Sequence, residues 1–175
     1  NAIYDTLKNM GVEQANILEP SCGTGNFLGM LPQEMQSSKL YGIELDSISG
    51  KIAKQLYPKA NIKVQGYEKA DLPDSFFDIA IGNVPFGDFK VNDKRYDKNN
   101  FLIHDYFFAK TLDKVRPGGV IAFITSKGTM DKASPEVRKY LAQRADLLGA
   151  IRLPDNTFTK NAGTKVTSDI IFLQK

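Results

Sequence analysis

"ILEPSCGTGNFLGML", residues 17–31, runs from an apolar strand-like segment straight into a glycine-studded turn and then into a helix-forming stretch. Gly23, Gly25 and Gly29 set the spacing G-x-G-x-x-x-G. Glycines after a strand let the chain turn sharply and let a ligand reach main-chain atoms without meeting a Cβ. A tight strand-to-helix turn also needs glycine for structural reasons alone, so the spacing by itself leaves both readings open. An acidic residue about 20 positions on is the usual grip on ribose hydroxyls. Glu44, near the end of the next apolar run, is placed for that role.

Outward from this turn, short apolar runs at 15–19, 40–45, 61–65, 77–83, 120–125, 147–153 and 168–174 alternate with helix-period stretches near 26–36, 46–57, 102–115 and 134–144. Ile48, Ile52 and Leu56 recur every four residues and share one helix face, with Asp46 or Ser47 able to cap the start. Leu102, Tyr106, Ala109 and Leu112 do the same, and "RPGG" at 116–119 is a strong stop. Such alternation predicts an α/β fold: a seven-stranded, mostly parallel sheet with helices on both faces. Residues 154–166, "PDNTFTKNAGTKV", are too few and too rich in turn formers for a crossover helix, so the last strand is predicted to return antiparallel.

The 175 residues suit a single domain, 1–175, with a proper core. A net charge of +3 permits a nucleic-acid partner without arguing for one. One cysteine excludes a disulfide framework and a cysteine-built metal cluster. There is no long apolar run and no signal-like start, so no membrane partner and a reduced, cytoplasmic setting are expected. The chain begins at Asn1 without a methionine and reads as a piece of a larger protein.

Glu19 lies directly before the glycine turn, where a phosphate would be repelled and a cationic amine welcomed; no lysine follows the glycines as a P-loop requires. S-adenosylmethionine (AdoMet) answers that description better than NAD or ATP, with Glu19 facing its ammonium and Glu44 its ribose. A second constellation, "IGNVPFGDF" at 81–89, ends the fourth apolar run. Ligands in open α/β sheets bind outside the carboxyl ends of the strands, so both segments are expected to share one crevice. Asn83 offers a carboxamide oxygen, Pro85 forces the Val84 carbonyl outward, and Phe86 adds a flat apolar surface. Two acceptors and an aromatic plane are what holding an exocyclic amine on a planar ring requires. A proline-containing turn with Asn in a structural role is the plainer reading of the same letters.

Taken together, E-P-S-C-G-T-G-N-F (19–27), G-I-E-L-D (42–46) and G-N-V-P-F-G (82–87) resemble the AdoMet-dependent N6-adenine DNA methyltransferases. The resemblance is closest to the methylase domain of large methylase–helicase fusion proteins of conjugative elements. It covers nearly the whole chain and implies a Rossmann-like AdoMet-dependent methyltransferase fold without a target-recognition domain. The implied partners are double-stranded DNA and helicase or target-recognition domains of the same full-length protein. By resemblance the cofactor site comprises Glu19, Pro20, Ser21, Gly23, Gly25, Asn26, Phe27, Glu44, Leu45, Tyr67 and Glu68, the catalytic motif Asn83, Val84, Pro85 and Phe86, with no metal. Two departures stand out: Val84 replaces the family's usual proline, and Gly66-Tyr67-Glu68 stands where an Asp-Phe pair is common. Methylation of ribosomal-RNA guanine or protein glutamine, and a degenerate DNA-binding module, remain the alternatives.

The charged run 87–100 follows the catalytic motif and reads either as a solvated connection or as a loop whose Lys90, Lys94 and Arg95 contact DNA phosphates. Phe158 matches an aromatic the family sets against the extruded base, and a core role is equally open. Cys22 reads as a small packing residue. His104, the only histidine, reads as a helix-start or packing residue rather than a general base.

Overall fold

The computed structural model describes residues 2–154 and 167–175. Seven strands, β1 (Asn16–Glu19), β2 (Lys39–Glu44), β3 (Asn61–Val64), β4 (Phe77–Asn83), β5 (Val115–Ser126), β6 (Asp146–Arg152) and β7 (Ser168–Gln174), form one sheet in the order β3-β2-β1-β4-β5-β7-β6. β1 to β5 run parallel, and β7 is antiparallel to both β5 and β6, as the short 154–166 connection predicts. The order reverses at β1, whose neighbours are β2 and β4. At such a switch point the connections leave in opposite directions and open a crevice at the carboxyl ends of the strands.

Side chains alternate between two cores because strand residues alternate between sheet faces. Leu18, Ala80, Ile121, Phe123 and Ile171 pack against α4 (Ile103–Lys114) on one face. Ile17, Ile79, Val120, Ala122 and Phe172 pack against α1 (Ala2–Asn9) on the other. The remaining helices are α2 (Asn26–Gly29), α3 (Ser47–Leu56), α5 (Gly128–Asp131) and α6 (Glu136–Ala142). No helix of the described residues is long and apolar enough to cross a membrane.

Several local expectations need correcting. α1 falls where no helix is predicted, and Ile3, Tyr4 and Leu7 bury its inner face. The helix expected over 26–36 ends at Gly29 and resumes only as a 3₁₀ turn at Gln33–Met35, with Pro32 at the break. α3 starts as expected, Asp46 accepting the Ser49 amide at 2.7 Å. Its apolar stripe nevertheless faces outward, with Ile48, Ile52 and Leu56 exposed. The helix seats itself instead through Gly50 and Ala53, because a Cβ at Gly50 would collide with Val64 on the edge strand β3. "RPGG" does stop α4, but β5 starts at once at Val115; the register then skips from the Phe77–Val115 pair to Ile79–Val120, and 116–119 bulge outward. Gly118 (φ 81°) supplies the left-handed backbone there.

Candidate active site

Three neighbouring strands end in polar residues. Glu44 closes β2, Glu19 closes β1 and Asn83 closes β4, so Glu19 stands between the other two at the head of the crevice. Glu19 is 2% exposed and its Oε2 has no hydrogen-bond partner among the described residues. Burial, and secondarily the Glu44 charge, push its carboxyl well above the usual range. A dry carboxyl beside a second acid repels phosphate and is relieved by a cation. Glu44 is held differently: Oε2 accepts the Gly23 amide at 2.6 Å and Oε1 the Asp46 amide at 2.8 Å. Each oxygen keeps a second lone pair for a hydroxyl donor, so the same carboxylate ties down the glycine turn and can still take a ribose.

The three glycines divide their duties. Gly23 (φ 55°) needs its left-handed backbone, and a Cβ there would meet open space, which leaves its main chain accessible to a ligand. Gly25 is left-handed as well, yet it and Gly29 both lie against the Tyr57 ring, where a Cβ would collide. Cys22 is buried; burial pushes its thiol up to about 12, which suits packing rather than chemistry. Gly29→Ala is therefore expected to destabilise the domain by about 1–3 kcal/mol through overpacking. The atom its Cβ meets first is the Tyr57 hydroxyl. Adding Tyr57→Phe should return part of that loss, readable as a coupling in a double-mutant cycle of urea melts.

At the crevice wall, Asn83 is exposed at the end of β4 and its carboxamide has no partner among the described residues. Val84 is buried at 1%; its amide donates to the Ile124 carbonyl at 3.0 Å, and its own carbonyl accepts nothing among the described residues. Valine thus does in the core what a proline does by ring closure: it fixes the loop. Phe86 remains 43% exposed beside these two acceptors. Of the other residues expected at the cofactor, Pro20 is buried, Ser21 and Phe27 are partly covered, Asn26 is exposed and Leu45 lies 77% exposed just past β2.

Tyr67 is a core residue. Its ring packs on Phe107 at 4.8 Å and its hydroxyl bonds Thr111 at 2.9 Å. Glu68 folds back so that its carboxylate fills the space a side chain on Gly66 would need. The 87–100 loop is pinned rather than free. Lys110, 4% exposed on α4, donates to the Tyr67 carbonyl (2.8 Å) and to Asp93 (3.2 Å), and the Tyr106 hydroxyl donates to the same Asp93 oxygen (2.7 Å). Arg95 pairs with Asp74 (2.8 Å) and Asp113 (3.1 Å), Lys90 bonds Asn100, and Lys94 is exposed with no partner among the described residues. Phe158 lies outside the described residues. Sequence reasoning missed Asp93 and Lys110; the available signal was a lysine inside an aromatic-rich helix with nearly every face buried.

The profile of the family described as N-6 DNA Methylase matches residues 3–175. The chain belongs to that family. "Defense against restriction protein B" of Escherichia phage P1 is 32% identical over 179 residues, covering 99% of this chain and 8% of that protein. "Modification methylase CviBIII" of Paramecium bursaria Chlorella virus NC1A is 26% identical over 161 residues, covering 89% and 42%. Among solved structures, one described as a class I S-adenosylmethionine-dependent methyltransferase from Listeria monocytogenes superposes with a TM-score of 0.81 at 20% identity, covering 99% of this chain and 58% of that one. The N-6 methylase chain thus spans less than two thirds of each of these proteins. Its cofactor is AdoMet, and the orphaned Glu19 oxygen fits the group's ammonium.

Proposed function

We propose that this methylase domain transfers a methyl group from AdoMet to the N6 amino group of adenine in DNA. The observation that carries the reading is the pair of unpartnered acceptors, the Asn83 carboxamide and the Val84 carbonyl, on the strand next to the orphaned Glu19. When bound, AdoMet supplies a methyl carbon made electrophilic by its sulfonium. Glu19 would hold the ammonium, Glu44 the ribose, and Leu45 with Glu68 the adenine end. The amine of adenine is a poor nucleophile because its lone pair is delocalised into the ring. Asn83 and Val84 accept both of its hydrogens, which drives the nitrogen toward sp³ and aims the lone pair at the methyl carbon. Phe86 supports the ring plane. Positioning and electrostatics then carry an in-line displacement.

The amine is out of reach inside a stacked duplex, so the base must leave the helix. Lys90 and Lys94 contact phosphate, which positions a duplex without reading it; Arg95 serves the domain by bracing the loop against Asp74 and Asp113. Selection of a DNA sequence then falls to other domains, helicase or target-recognition, of the full-length protein.

The test incubates the protein with methyl-labelled AdoMet and, separately, unmethylated duplex DNA, ribosomal RNA and a protein extract. Label recovered as N6-methyladenine in DNA is the expected result. Label in RNA or protein moves the substrate to another planar amine or amide. No transfer alongside AdoMet binding by calorimetry would support a degenerate module.

A further inference from the structure

The two acceptors of the catalytic motif leave one chemical need unmet. As the amine nitrogen bonds the methyl carbon and the sulfur keeps the electrons of the broken C–S bond, the nitrogen becomes cationic. One of its N–H bonds must then break, its electron pair returning to nitrogen, and the proton must go somewhere. Neither the Asn83 carboxamide nor the Val84 carbonyl is a base.

Next to the motif, Phe86, Gly87 and Asp88 form one wall of a pocket of about 460 Å³ whose other residues include His104, Ser126, Lys127 and Lys132. His104, in the first turn of α4, is 6% exposed and is the only imidazole in the chain. Its Nδ1 has no hydrogen-bond partner among the described residues, and its Nε2 lies 3.4 Å from Asp105 Oδ1, itself without a hydrogen-bond partner among them in a side chain 1% exposed. The other Asp105 oxygen lies 3.4 Å from the Lys132 ammonium. An Nε2–H donating to Oδ1 would be a charge-assisted bond, and it is stronger when the ring is an imidazolium.

Resting on the reading of this domain as an adenine methylase, we propose that the His104 imidazole accepts, through a pocket water, the proton released from the methylated amine, with Asp105, which faces Nε2, as the residue that positions and stabilises the imidazolium. The water gives up one proton to the imidazole as it takes one from the amine, so the count balances without a co-reactant. The surroundings keep the ring ready. Burial first, and the Lys132 charge, lower the imidazole's pKa below its ordinary value, while Asp105 and Asp88 oppose them. Lys127 and Asp131 complete the charged groups lining the pocket. At neutral pH the ring is uncharged and available.

The experiment measures single-turnover methyl transfer to duplex DNA at saturating AdoMet from pH 5 to 8 for the wild type, His104→Gln, His104→Ala and Asp105→Asn. Melting curves and AdoMet calorimetry run on each. Expected are a loss of about 10²- to 10⁴-fold in His104→Gln at neutral pH, disappearance of the wild-type acid limb, and partial rescue of His104→Ala by added imidazole. Asp105→Asn should move that limb to lower pH, since the carboxylate that raises the imidazole's pKa is gone. A His104→Gln enzyme with the full rate and an unchanged acid limb would overturn the proposal, as would a folded, AdoMet-binding His104→Ala enzyme that imidazole does not rescue. A wild type that methylates no DNA would instead remove the reading on which it rests.

Discussion

Asn83→Ala is expected to slow single-turnover methyl transfer by about 10²–10³-fold, the loss typical when one preorganised hydrogen-bonding group of a transition state is removed. AdoMet affinity should stay within about twofold, since the carboxamide acts on the methyl acceptor and mainly in the transition state. Stability should change by no more than about 0.5 kcal/mol, as for other exposed side chains without partners. Asn83→Asp should lose less, because a carboxylate keeps an acceptor oxygen in the same place. The structural reading of Asn83 as a turn former makes the opposite forecast. Its backbone is extended at the end of β4, paired in register with Ile124, so alanine there disturbs no turn. A variant that melts early, or that loses AdoMet together with activity, would sink the assignment.

Glu19→Gln is expected to improve the unliganded fold and harm the function. The wild-type carboxyl is buried, has an orphaned oxygen and sits near Glu44. Its folded pKa is raised, so its stabilising contribution is present at low pH, below the unfolded value, and is lost as pH rises through the folded value. Glutamine does not ionise, so the variant's advantage should grow with pH. An unsatisfied buried group costs about 1–3 kcal/mol. Relieving part of that should raise Tm by several degrees at about 3 °C per kcal/mol for a chain of this size. AdoMet binding should meanwhile weaken by about 10- to 100-fold, the loss of one charge-assisted hydrogen bond of ~1.5–3 kcal/mol. Wild-type affinity should also fall as Glu19 becomes protonated in acid, and the variant should lack that dependence. Calorimetry and thermal melts between pH 5 and 8 check both halves. An unchanged AdoMet affinity in Glu19→Gln would show that the ammonium binds elsewhere.

The crevice at the strand ends, the candidate site, was largely legible in the letters because each of its parts is a local event at a strand end. Glu19, the left-handed Gly23 and Gly25, Glu44 and Asn83 are each placed by the few residues around them, and the parallel alternation brings the strand ends to one edge. Other parts were not legible. The stripe Ile48–Ile52–Leu56 has the period of a buried face and yet faces solvent, because α3 approaches the edge strand through its glycine and alanine. Tyr67, assigned to the cofactor by its place in a motif, spends its ring on Phe107 and its hydroxyl on Thr111. The loop 87–100, which reads equally as solvated coil or phosphate grip, is strapped to α4 by Asp93, Lys110 and Arg95. Those contacts join residues many positions apart, which no local pattern encodes.

From sequence alone came the seven strands and the main helices between them, the antiparallel return of β7, and a turn chemistry that favours a cation over a phosphate. These follow from periodicity, backbone sterics and the charge of one carboxylate, all of which act over a few residues. Only the tertiary structure decided which charges are spent and which are free. Arg95 is consumed by two aspartates, Lys110 is buried in an ion pair, and Glu19, His104 and Asp105 keep atoms without a hydrogen-bond partner among the described residues. Desolvation and pairing depend on what the whole fold packs around a group, and they set the chemistry each side chain can perform.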